Sequence, residues 1–143
     1  MSPNMLELQD VVKIFNLGTQ DEKRALDGLS LVVTEGEFVT IIGSNGAGKS
    51  TLFNAAAGVY PPTRGRILID DVDVSGWPEH RRASLVGRVF QDPLMGTAST
   101  MTIAQNLTLA LLRGRQHRLR RGVTQPRREH YADLLAPLGL GLE

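Results

Sequence analysis

Gly43-Ser44-Asn45-Gly46-Ala47-Gly48-Lys49-Ser50-Thr51 is the stretch that decides the reading of this 143-residue chain. It satisfies G-x-x-x-x-G-K-[ST] in full, and the apolar run Phe38-Val39-Thr40-Ile41-Ile42 stands directly before it. Leu52, Phe53, Asn54 and the alanines at 55–57 follow as helix formers, with Gly58 placed to stop the helix. Strand, glycine loop and helix in that order predict a phosphate cradle. Glycines let the backbone turn several N–H groups inward at the mouth of a helix, whose dipole favours anions. Lys49 adds a positive charge for the outer phosphates, and the Ser50 hydroxyl is a hard oxygen ligand suited to Mg²⁺. The plain alternative is a glycine-rich turn with a fortuitous Lys-Ser, which the flanks disfavour. The stretch predicts a nucleoside triphosphate site, or descent from one.

Working outward, residues 5–15 alternate loosely and predict a strand, residues 16–24 a polar turn, and Leu26 to Val33 a second strand. Glu35-Gly36 turns into a nearly all-apolar strand, Phe38 to Ile42, of the buried parallel type. Beyond Gly58, the Tyr60–Gly65 stretch is punctuation, Arg66 to Asp70 a strand, residues 79–84 a short helix, and Leu85 to Phe90 another strand. Asp92-Pro93 marks a stop. Thr102-Ile103-Ala104-Gln105 forms a capping box, after which Ile103, Leu107, Ala110 and Leu111 share a helical face. A second helix is expected over about 126–137, with Tyr131, Leu134, Leu135 and Leu138 on one face.

Composition narrows the function. There are no cysteines, which excludes disulfides, thiolate metal sites and thiol nucleophiles. The net charge of +1 gives no general attraction to nucleic acid or membrane. No apolar run approaches the roughly 20 residues needed to cross a bilayer, and Met1 to Met5 has no signal-peptide core. The expected compartment is the cytoplasm.

Several segments together resemble the nucleotide-binding subunits of ABC transporters, in order and spacing. Leu6-Glu7-Leu8, Lys13-Ile14-Phe15, Ala25 to Leu31 and Glu35-Gly36-Glu37 look like the opening strands of that family, and Gly43 to Thr51 its phosphate loop. Thr63-Arg64-Gly65-Arg66-Ile67 resembles the turn after the first helix. Val89-Phe90-Gln91-Asp92-Pro93 resembles the Q-loop, and Met101-Thr102-Ile103 with Asn106-Leu107 the start of the helical subdomain. Gly87 to Thr97 looks most like importer-type subunits.

The resemblance implies an α/β P-loop NTPase fold: an antiparallel β front with a RecA-like core over about 1–93, then the start of a helical subdomain over about 94–143. It implies ATP and Mg²⁺ as ligands. Gly43, Ser44, Asn45, Gly46, Ala47, Gly48, Lys49, Ser50 and Thr51 would hold the phosphates, and Ser50 and Gln91 would attend the metal. Lys49 and Gln91 would serve the chemistry. Phe15 would stack on adenine, although it also reads simply as the end of an apolar strand face. Gln91 without the family context reads as a strand-end glutamine facing solvent. Implied partners are transmembrane permease subunits and a second ATP-binding subunit, in a homodimer. The membrane is then reached only through partners, at its inner face, and no nucleic acid is expected.

Ile67-Leu68-Ile69-Asp70-Asp71 imitates a Walker B strand, apolar residues followed by two carboxylates. Its place after the Tyr60–Gly65 turn predicts instead an antiparallel strand of the β front. Residues 113–130 carry Arg113, Arg115, Arg118, Arg120, Arg121, Arg127 and Arg128 against one acid, Glu129. They read as a solvated loop between helices or as a contact near the membrane partner. His80, His117 and His130 lack metal-ligand spacing.

To Glu143 there is no Leu-Ser-Gly-Gly-Gln signature, Walker B pair or switch histidine, which predicts an N-terminal fragment with little hydrolytic activity and an uncovered Phe38–Ile42 strand. Two other readings remain: another P-loop enzyme such as a nucleotide kinase, and a non-catalytic ATP-binding module.

Overall fold

Strands β1 (Asn4–Phe15) and β2 (Lys23–Thr34) form a long antiparallel hairpin across the polar turn expected at 16–24. The computed structural model describes residues 4–114 and 122–139. Strand β3 (Arg64–Ile69) pairs antiparallel with the other edge of β1, and the short β4 (Val72–Asp73) pairs with β3. The sheet order is therefore β2-β1-β3-β4. Both ladders of β1 shift register around Asp10, which has φ 48°. This bulge inserts an extra residue, so Leu8 and Val11, three apart, both reach the core. That slip explains the loose alternation in the sequence.

Helix α1 (Lys49–Ala57) lays Leu52 and Ala55 on this sheet, in one core with Leu8, Val11, Leu26 and Ile67. Gly58 ends it as expected, with φ 86° and Val59 N–H donating to the Asn54 carbonyl at 2.9 Å. The Asp70-Asp71 pair occupies the tight turn between β3 and β4, both residues at positive φ. The Walker B look-alike is thus part of an antiparallel hairpin.

Two expected strands are not formed. Phe38 to Ile42 and Leu85 to Phe90 take no ladder hydrogen bonds, and Phe38, Ile42 and Val89 are 92%, 90% and 98% exposed. Their composition suits strands, but a strand exists only as a pairing, and among the described residues none pairs with either segment.

The chain divides into two units, residues 1–86 and 87–143. In the second, the capping box at Thr102 and Gln105 is present and opens α3 (Ile103–Leu111). Helix α4 (Gln125–Leu135) follows, with a 3-10 turn at Ala136–Leu138. The packed faces match the expected ones only in part. On α3 the buried residue is Thr108, with Ala110 and Leu111 exposed; on α4 it is Tyr131, as expected, with Leu135 half-buried and Leu134 exposed, and Leu138 is exposed in the 3-10 turn. The reason is a polar pair: Thr108 Oγ1 donates to the Ala104 carbonyl at 2.7 Å, so the Tyr131 hydroxyl, 2.9 Å away, donates to Thr108. Tyr131→Phe should cost about 1 kcal/mol in urea unfolding, the net worth of one buried hydrogen bond. Arg115, Arg118, Arg120, Arg121 and His117 lie outside the described residues.

Candidate phosphate site

The phosphate loop is set by where α1 starts. Gly48 caps the helix in the left-handed region, φ 90°, and gives the first-turn N–H groups no side-chain partner. Those N–H groups lack intrahelical acceptors by geometry, so they face outward as donors at the positive end of the helix. A Cβ on Gly48 would sit 2.5 Å from the Ala25 carbonyl oxygen and 3.3 Å from Leu26 Cδ2. Glycine is thus required twice over, by dihedral and by close approach to β2.

Lys49 reaches back along the loop. Its ammonium donates to the Gly43 carbonyl at 2.6 Å and the Ser44 carbonyl at 2.8 Å, while Ala47 N–H donates to the Ser44 carbonyl at 3.2 Å. Two of three ammonium protons hold the loop closed, leaving the third for an anion. Ser44, Asn45, Gly46 and Ala47 are exposed, Ser50 is exposed in the first turn of α1, and Thr51 behind it is half-buried. A hydroxyl here suits Mg²⁺, a hard cation that takes one protein oxygen with water and phosphate oxygens. Among the described residues no cluster of three or more His, Cys, Asp or Glu offers an alternative metal site.

Phe15 ends β1, half-buried, beside the same corner of the sheet. Lys13, two residues before it, pairs with Leu26, the residue Gly48 approaches. The structure therefore brings Phe15 and the phosphate loop to one end of the β1–β2 hairpin. Gln91 belongs to the second unit, exposed in the bend before the 3-10 turn Pro93–Gly96.

Two residues escaped the sequence reading. Tyr60 meets Phe15 with ring centroids 5.2 Å apart and planes at 89°. Its only signal was an aromatic amid turn residues. Arg82 is fully buried at the end of the short helix α2 (Glu79–Arg82). Its guanidinium donates to the carbonyls of Ala55 (2.6 Å), Ala56 (3.1 Å), Ser75 (2.9 Å) and Trp77 (3.1 Å), closing the far end of α1. Burial lowers its pKa from the ordinary value and the Asp73 charge raises it in part, but an arginine stays cationic.

Comparison with known proteins is consistent with this geometry. Residues 26–141 match the family described as ABC transporter. The tyrosine transport ATP-binding protein of Clostridioides difficile is 40% identical over 111 residues, covering 78% of this chain and 44% of that protein. The macrolide export ATP-binding/permease protein MacB of Hyphomonas neptunium is 37% identical over 146 residues, covering 99% of this chain and 21% of that one. A dimeric ATP-binding cassette solved in a post-hydrolysis state with ADP and Pi superposes with TM-score 0.74 at 27% identity, over 95% of this chain and 58% of that chain. The chain thus spans less than two thirds of the length of each.

Proposed function

This chain belongs to the ABC transporter family, and on that premise we propose that it binds Mg²⁺-ATP as part of a transporter's ATPase subunit. The observation that carries the reading is the phosphate loop itself: uncapped N–H groups at the start of α1 with Lys49 pinned across Gly43 and Ser44. The loop N–H groups and Lys49 take the phosphates, and Ser50 holds Mg²⁺. Bound there, Mg²⁺ would neutralise charge on the outer phosphates. Phe15 takes the base. Gln91 is assigned to the metal or the attacking water on the family resemblance alone.

Residues to about 93 supply the β front and P-loop core, and those from about 94 begin the helical subdomain. Among the described residues no helix is long and apolar enough to cross a membrane. On the family resemblance, membrane contact is assigned to permease partners on the cytoplasmic side, with a second ATP-binding subunit closing the site. Relatives named for import and for export both match, so the direction of transport is not assigned.

The test is Mg²⁺-ATP binding by calorimetry for wild type and Lys49→Ala, with phosphate release followed in the same samples. Lys49→Ala should weaken binding at least about tenfold, the loss of a charge-assisted contact. Turnover should be absent from both. A folded wild-type chain that does not bind would reject the nucleotide site. Lys49-dependent turnover would show that this chain already holds a complete set of hydrolytic groups.

A further inference from the structure

We infer that Tyr60 is a positioning residue for nucleotide binding, one that sets the orientation of the Phe15 ring against which the base stacks. The inference rests on the reading of Phe15 as the base platform. Edge-to-face contact at 5.2 Å and 89° restricts the tilt of both rings, whereas a lone half-buried phenylalanine at a strand end would be free to turn about χ1 and χ2. The contact is itself supported. Lys13 Nζ lies 5.2 Å from the Phe15 centroid and 5.7 Å from that of Tyr60, and donates to the Pro61 carbonyl at 2.9 Å. One ammonium thus spans both rings and the turn that carries Tyr60.

The turn is also fastened to β1. Thr63 N–H donates to the Val12 carbonyl at 2.8 Å, and Ile14 N–H donates to Thr63 Oγ1 at 3.0 Å. Tyr60 itself follows the cap of α1, its N–H directed at the Asn54 carbonyl at 3.5 Å. Tyr60 therefore joins the helix whose opening residues form the phosphate site to the ring proposed for the base. An unrestrained platform loses rotamer entropy when a base docks, and a pre-oriented one does not.

The test compares Mg²⁺-ATP with Mg²⁺-tripolyphosphate, which has no base, by calorimetry on the purified chain. Phe15→Ala should weaken ATP about tenfold and leave tripolyphosphate unchanged. Tyr60→Ala should weaken ATP about threefold, again without touching tripolyphosphate. Tyr60→Phe, which keeps the ring, should stay within about twofold of wild type. The double variant should bind ATP no worse than Phe15→Ala alone, since Tyr60 acts through that ring.

If Phe15→Ala leaves ATP affinity intact, the base reading fails and the inference falls with it. If Phe15→Ala weakens ATP while Tyr60→Ala has no effect, or the two losses add in full, the base reading stands and the role of Tyr60 is refuted. An equal loss of tripolyphosphate affinity in Tyr60→Ala would make Tyr60 a residue of the fold and would also overturn the inference.

Discussion

Gly48→Ala should abolish measurable Mg²⁺-ATP binding and lower the unfolding free energy by about 2–4 kcal/mol. The added methyl meets two obstacles. At φ 90° an alanine is strained by about 1–2 kcal/mol before any contact is considered. Its Cβ then lies 2.5 Å from the Ala25 carbonyl oxygen, a backbone atom in a paired strand that cannot rotate aside. The chain must either move the start of α1 off β2 or abandon the left-handed cap. Either change turns the first N–H groups of α1 away from their common focus, which is what an anion needs. Gly46→Ala is the control that isolates the contact. Gly46 has φ 85° but nothing within 4 Å of its Cβ position, so it should show the conformational cost alone, about 1–2 kcal/mol. Urea unfolding and calorimetry on both variants read the difference. Equal losses in the two would mean that the approach to Ala25 is not a constraint on the loop.

That glycine pair also shows why the phosphate loop was legible in the sequence. Its geometry is demanded residue by residue, by left-handed dihedrals and one short lysine reach, so the requirement is written locally. The same holds for the Gly58 stop and the Thr102–Gln105 capping box, where each backbone demand has its own residue type. The hairpin strands were legible because each buries a face, although the bulge at Asp10 was not: a slipped register leaves only a blurred alternation. Phe38–Ile42 and Leu85–Phe90 were misread for a different reason. Their apolar, β-branched composition is permissive of a strand, but pairing is a relation between segments, and no composition states whether a neighbour is at hand. Ile103, Ala110 and Leu111 failed similarly, since hydrophobicity did not reveal that a threonine–tyrosine hydrogen bond would set the packed faces of α3 and α4. Tyr60 was invisible because its partner, Phe15, is 45 positions away in a sheet whose turn had first to be folded.

Arg82→Met is the second large expectation, a loss of about 3–5 kcal/mol with nucleotide affinity retained in the folded molecules. Nothing in Glu79-His80-Arg81-Arg82 separates this arginine from its exposed neighbours, yet its relative exposure is 0%. Methionine would keep much of the stem's packing and delete the donors. The Ala55 carbonyl would then keep only the Gly58 N–H in a buried site, and the carbonyls of Ala56, Ser75 and Trp77 would lose their donors in half-buried ones. An unsatisfied buried acceptor costs about 1–3 kcal/mol before relaxation. Two of these acceptors are the last carbonyls of α1, where the helix dipole leaves negative charge and a cation is favoured. Arg82→Lys should recover only part of the loss, since a compact ammonium cannot span four acceptors as a planar fork does. Against a typical total of about 5–15 kcal/mol, Arg82→Met should leave the first unit marginal. Nucleotide then separates the two large variants. Arg82 acts at the end of α1 opposite the phosphate loop, so nucleotide at ~100-fold above Kd should raise the stability of Arg82→Met by the same ~2.7 kcal/mol expected for wild type. Gly48→Ala, with its cradle opened, should gain nothing. If Arg82→Met also gains nothing, its guanidinium shapes the phosphate site through α1 and is more than a structural anchor.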